Sequence, residues 1–184
     1  MTGDDDAGEP LSERSLGLRT AVVEAEHHAS DSGWDQPARL FGLVPTAELA
    51  VAEPELAAEL GVNTGTANVF TPVEQDLEEE SGTLEELLGR IMWPESVAGA
   101  LVVVERVVLP PEAEADVPGD PTLASSFAAE HKDREDVRLS VGALRSGEAH
   151  CVLRMRSHDD DNSLLHGADV VPGLVAALRE TLDL

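Results

Sequence analysis

His158-Asp159-Asp160-Asp161, followed shortly by His166, is the best-furnished candidate for a metal site in the chain. Imidazole nitrogens and carboxylate oxygens together suit a divalent ion. A metal-dependent, hydrolase-like enzyme would take His158, Asp159, Asp161 and His166 as ligands. Three consecutive aspartates cannot all face one ion, and the glycine and distal glutamate of an EF-hand loop are missing. The same neighbourhood gathers cations: Arg138, Arg154, Arg156 and His158 are candidates for docking an anionic group or partner. Nucleophilic chemistry is less well supplied. There is no Gly-x-Ser-x-Gly elbow, Ser157-His158 is only an adjacent pair, and the single cysteine, Cys151, falls on an apolar strand face. Gly61-Val-Asn-Thr-Gly-Thr66 lacks the lysine and spacing of a phosphate loop. His27 and His28 are adjacent on a helix, so they point about 100° apart.

The arginines owe their positions to a hairpin. Val137, Leu139 and Val141 alternate with Arg138, Ser140 and Gly142, and Cys151, Leu153 and Met155 alternate with Val152, Arg154 and Arg156. A two-residue turn at Ser146-Gly147 would set Leu139 against Arg154. A three-residue loop, Arg145-Ser146-Gly147 with a left-handed glycine, sets Leu139 against Leu153 and Val141 against Cys151 instead. Opposed residues share a face, so only the second register keeps the apolar set together. It also places Arg138 opposite Arg154 and Asp136 opposite Arg156. Two opposed arginines need anions, supplied either by the protein's own carboxylates or by a partner docking on that face.

The chain carries 12 Lys and Arg, with one lysine at Lys132, against 37 Asp and Glu, for a formal charge of −25. That charge repels phosphate backbones and disfavours nucleic-acid binding; acidic mimicry of DNA is the exception it leaves open. No leader and no apolar run near 18 residues is present, so a cytoplasmic location without membrane contact is expected. No cofactor is implied. Residues 1–11 read as a disordered acidic tail and 12–184 as a single domain, long enough to bury roughly 70% of its unfolded surface.

Within that domain, Leu18, Val22, Ala25 and Ala29 make one helical stripe ending near Gly33, with Trp34 folding back onto the helix end. An extended run follows at Arg39–Val44. Thr46 is a candidate cap for a helix broken at Pro54, with Leu49, Leu56 and Leu60 inward. A short strand falls around Asn68–Val73. The acidic run of residues 74–81 precedes a helix capped by Ser81 or Thr83, burying Leu84, Leu87, Leu88 and Ile91. Ala100–Leu109 is apolar on both faces at its start, the pattern of a central strand. Thr122–Glu130 is a short helix with Phe127 inward. Pro172 opens a last helix whose stripe is Val171, Leu174, Val175, Leu178 and Leu182.

These elements predict an α+β fold: an antiparallel or mixed twisted sheet of about five strands, helices packed mainly on one face, and a C-terminal helix after the hairpin. A final hairpin followed by a packing helix resembles secretion-chaperone-like α+β folds, an analogy that licenses no function. Several stretches carry a closer resemblance: Gly33-Trp-Asp-Gln-Pro37, Leu40-Phe-Gly-Leu-Val-Pro-Thr46, Thr71-Pro-Val-Glu-Gln75, Trp93-Pro94, Val103-Val-Glu-Arg106, Leu109-Pro-Pro111 and Arg154-Met-Arg-Ser-His158. From about Leu16 to Leu182 the chain resembles an actinobacterial family of short acidic cytosolic proteins that goes by a locus-tag name. The resemblance implies a GC-rich actinobacterial origin and transfers no activity. The functional expectation is a non-enzymatic binding or adaptor module with a protein partner, and the alternative is the metal-dependent enzyme.

Overall fold

The computed structural model describes residues 11–62, 69–77 and 83–183. Nearly all of the expected tail lies outside them, as do residues 63–66 of the Gly61–Thr66 turn, the proposed strand start at Asn68, the acidic residues 78–80 and the candidate cap Ser81. Among the described residues seven helices and six strands follow in order. They are α1 (Glu13–Asp31), β1 (Arg39–Pro45), α2 (Thr46–Ala52), α3 (Pro54–Glu59), β2 (Phe70–Gln75), α4 (Leu84–Leu88), β3 (Gly99–Val108), α5 (Pro111–Glu114), α6 (Pro121–Glu130), β4 (Glu135–Leu144), β5 (Ala149–Met155), β6 (Leu165–Gly167) and α7 (Pro172–Leu182). The strands form one antiparallel sheet in the order β2-β1-β3-β4-β5-β6, an α+β architecture. No described helix is long and apolar enough to cross a membrane.

The β4–β5 hairpin adopts the three-residue loop. Leu139 faces Leu153, Val141 faces Cys151 and Arg138 faces Arg154. Gly147 closes the loop at φ +107, a conformation that side-chain-bearing residues rarely adopt. Arg145 in the same loop donates to the carbonyls of Val97 at 2.8 Å and Trp93 at 3.2 Å, and to that of Leu182 in the last turn of α7. A cation at a helix C-terminus satisfies carbonyls that have no partner within the helix. The loop thus fastens the final helix to the sheet.

The helices divide between the two faces of the sheet, where most were expected on one. α1 covers the face of Phe41, Leu43, Leu101, Val103 and Val152 with Leu18, Ala21, Val22, Ala25 and Ala29. Leu174, Val175, Leu178 and Leu182 of α7, with Leu88 of α4, cover the opposite face of Leu40, Val102, Leu139, Val141 and Cys151. The cause lies in the strands. Once covered on both sides, β3 buries consecutive residues, and β4 buries its polar face as well as its apolar one. The sixth strand, β6, is too short for a period-two pattern to announce it.

Local expectations shift where tertiary contacts outweigh propensity. Thr46 Oγ1 shares a 2.9 Å hydrogen bond with Thr71 Oγ1 and does not cap α2. Thr83 caps α4 in a capping box with Glu86. Leu60 is 45% exposed, and no residue of α6 is buried, so Phe127 is only partly covered.

Candidate functional site

Glu26 lies on the buried stripe of α1, one turn beyond Val22, and is 0% exposed. It comes down on the opposed pair Arg138 and Arg154, themselves 1% and 2% exposed. Gly142 makes this approach feasible. A Cβ there would stand 2.7 Å from Val22 Cγ2 and 2.8 Å from Leu18 Cδ1, so only glycine lets the helix sit this close to β4. Arg154 grips Glu26 with both ends of its fork, Nε to Oε1 at 2.6 Å and Nη2 to Oε2 at 2.9 Å. Its remaining donors reach Asp159 at 3.1 Å and Asp161 at 2.5 Å. Arg138 donates Nη2 to the Gly33 carbonyl at 2.5 Å and to Glu105 at 3.2 Å. Its Nη1 stands 3.7 Å from Glu26. The hydrogen bonds to Glu26 raise the pKa of Arg154 above its ordinary value despite the opposing cost of burial.

The segment after α1 closes over this network. The Trp34 ring stacks against Arg138 at 4.5 Å and Arg156 at 5.4 Å, and its Nε1 donates to Asp159 at 2.9 Å. Asp35, at φ +65, binds Arg156 through both carboxylate oxygens at 2.9 and 3.0 Å. Two of the stretches that carry the family resemblance, 33–37 and 154–158, therefore meet in space.

These contacts place each of the candidate site residues. Arg138 and Arg154 are not an open docking face: α1 covers them, and their charge is answered by Glu26, Glu105, Asp159 and Asp161. Arg156 is 42% exposed and already paired with Asp35. His158 stays on the surface, its Nδ1 2.9 Å from Ser157 Oγ, while Ser157 donates to Glu135 at 2.7 Å. A hydroxyl held between carboxylate and imidazole on an exposed turn lacks the order of a catalytic triad, in which the carboxylate orients the imidazole. The metal set does not assemble either. Arg154 occupies Asp159 and Asp161, and His166 lies beside His150, with 3.4 Å between Nδ1 and Nε2. No group of three or more His, Cys, Asp or Glu among the described residues could hold an ion. Burial, more than the neighbouring His166 and Arg19 charges, pushes the His150 imidazole down to about 4.

The surface pairs make a pH prediction. The Arg156 hydrogen bonds hold the Asp35 carboxyl below its usual value. A depressed folded value means that the pair stabilises the fold above the unfolded pKa of about 4, and that this contribution is lost as pH falls through the lower folded value. Thermal scans of the wild type and Arg156→Ala should therefore differ near neutrality and converge in acid. A gap that is constant with pH would show that the pair is not linked to folding.

A feature that sequence reading did not find is a groove at one end of the sheet. Two clefts, of about 500 Å³ and about 440 Å³, share Gln75, Asp76, Leu77 and Leu87 as a common wall. One extends between the C-terminal end of α1 and the segment 36–39, the other under Ile91, Met92, Trp93 and Pro94. Leu40, Leu77, Leu87, Ile91 and Trp93 supply apolar lining, and Glu74, Asp76 and Glu105 supply carboxylates. Arg39, which also lines it, is held by Glu74 at 2.7 and 2.8 Å. The walls come from α1, α4, four strands and the segments between them, so no single stretch of sequence signals them.

No curated protein and no solved structure matches the chain. A family model does match, over residues 18–183, a span that takes in α1 from Leu18 onward, the whole sheet and α7. On that match, the chain belongs to the PPA1309-like protein family.

Proposed function

We propose that the protein is a non-enzymatic, cytoplasmic binding module whose groove takes a basic, amphipathic segment of a partner protein. The observation that carries this reading is an apolar floor, Leu40, Leu77, Leu87, Ile91 and Trp93, beside the carboxylate of Asp76, with Glu74 and Glu105 of the same wall paired to Arg39 and Arg138. Pockets that bind ligands are concave, largely apolar and carry a few placed polar groups. The sequence continues from Asp76-Leu77 into Glu78-Glu79-Glu80, and the whole chain is at −25, so a cationic partner is steered toward it and an anionic one repelled. The enzymatic alternative loses support because Arg154 holds the aspartates it needed as ligands.

An acidic protein attracts basic peptides anywhere on its surface, so the test compares positions. A fluorescent Lys/Leu amphipathic peptide is titrated against the wild type, Asp76→Lys in the groove wall, and Asp116→Lys, an exposed site outside it. The two variants change net charge equally. Asp76→Lys is expected to weaken binding by roughly tenfold, about 1.4 kcal/mol, with Asp116→Lys close to wild type. Equal effects at the two positions, or equal binding of a Glu/Leu control peptide, would remove the groove from consideration.

A further inference from the structure

We infer that His150 and His166 form a two-histidine binding site for a zinc-class divalent ion, with the remaining coordination positions open to water or an exogenous ligand. The site lies on the α1 face of the sheet, away from the groove. Val152 of β5 pairs with His166 of β6, and His150 precedes Val152 by two residues, so the two imidazoles are diagonal neighbours on one face.

The spacing of the nitrogens suits a shared ion. His150 Nε2 and His166 Nδ1 are 3.4 Å apart, within reach of one long hydrogen bond whose donor depends on the tautomer. Two imidazoles on tetrahedral zinc, each at about 2.05 Å, hold their nitrogens about 3.3–3.4 Å apart. Two cis ligands in a square-planar or octahedral site would need about 2.9 Å. The observed separation matches the tetrahedral case, the geometry that zinc adopts. Imidazole ligation disfavours magnesium and calcium, which take oxygen.

The surroundings leave room for completion. A cleft of about 530 Å³ contains both rings. Its lining carries two arginines, Arg19 and Arg179, and two carboxylates, Glu148 and Asp169, and Arg179 already donates to the Gly147 carbonyl at 2.5 Å.

The test uses tag-free, chelator-stripped full-length protein titrated with zinc near neutral pH by calorimetry. Saturable uptake in the micromolar range is expected, weakened roughly tenfold or more in His166→Ala, where the ring is exposed and its loss spares the fold. His158→Ala serves as the control and should bind as the wild type does. Cobalt(II) in place of zinc should give the intense visible band of a tetrahedral site. The inference fails if zinc uptake does not saturate by millimolar concentration, if His166→Ala binds as tightly as wild type, or if cobalt gives only the faint octahedral spectrum.

Discussion

Replacing Glu26 by alanine is expected to lower the unfolding free energy by about 3–5 kcal/mol, the cost of removing one partner from a buried ion pair. The carboxylate is the only acidic group in direct contact with both Arg138 and Arg154 among the described residues. Without it, two guanidinium groups 1% and 2% exposed stay under α1, retaining only the partners at their outer ends. For a domain of this length each kcal/mol moves the melting temperature by about 2–4 °C, so the shift should reach at least several degrees. Glu26→Gln separates charge from packing. It fills nearly the same volume, yet it removes the charge and turns an amide N–H toward a donor. It should lose almost as much as the alanine variant. A loss below about 1 kcal/mol in chemical denaturation of Glu26→Ala would mean that water screens the network and that Glu26 does not hold the two arginines in place.

The network also explains which parts of the fold could be read in advance. Gly147 and two alternating strands left one register that kept Leu139 with Leu153, and that register alone required anions near Arg138 and Arg154. The element that supplies the central one was less legible. Glu26 sits one turn after Val22 on the stripe of Leu18, Val22, Ala25 and Ala29, so its position on the buried face is a real sequence signal. A charged residue there reads as a flaw in the stripe until its opposing arginines are known, and they lie far along the chain. The small residues of α1, Gly17, Ala21, Ala25 and Ala29, give the helix little shape to lock onto the sheet. The carboxylate held by two arginines supplies the missing definition of register, a role best attested for buried polar groups in helix pairing. Non-locality hid the remainder. The groove joins ends of β1, β2 and α4 to the 91–94 segment, and His166 finds His150 through a three-residue strand with no period to recognise.

On the opposite face of the sheet, Trp93→Ala should cost about 3–5 kcal/mol, in the range for deleting a large buried aromatic. Trp93 is 9% exposed and packs among Leu40, Val97 and the stripe of α7. Its Nε1 donates to Thr181 Oγ1 at 3.0 Å, tying the 91–94 segment to the last turn of α7. Gly42 is shaped to receive it, since a Cβ there would lie 2.9 Å from ring atom Cζ3. Trp93→Phe keeps most of the apolar contact but leaves the Thr181 hydroxyl without its indole donor, so about 1–2 kcal/mol is expected. The ordering of the two variants by urea denaturation tests the packing argument, and a phenylalanine variant as weak as the alanine would show that the hydrogen bond, not the ring, holds α7. Because Glu26 and Trp93 lie on opposite faces and share no partner, their effects should add. The sum, about 6–10 kcal/mol, is comparable to the whole stability of a typical domain, about 5–15 kcal/mol. Glu26→Ala combined with Trp93→Ala should therefore leave the chain largely unfolded at room temperature by circular dichroism, although either single variant folds. A double variant as stable as the weaker single would mean that one of the two helices, α1 or α7, is already detached when its own anchor is lost.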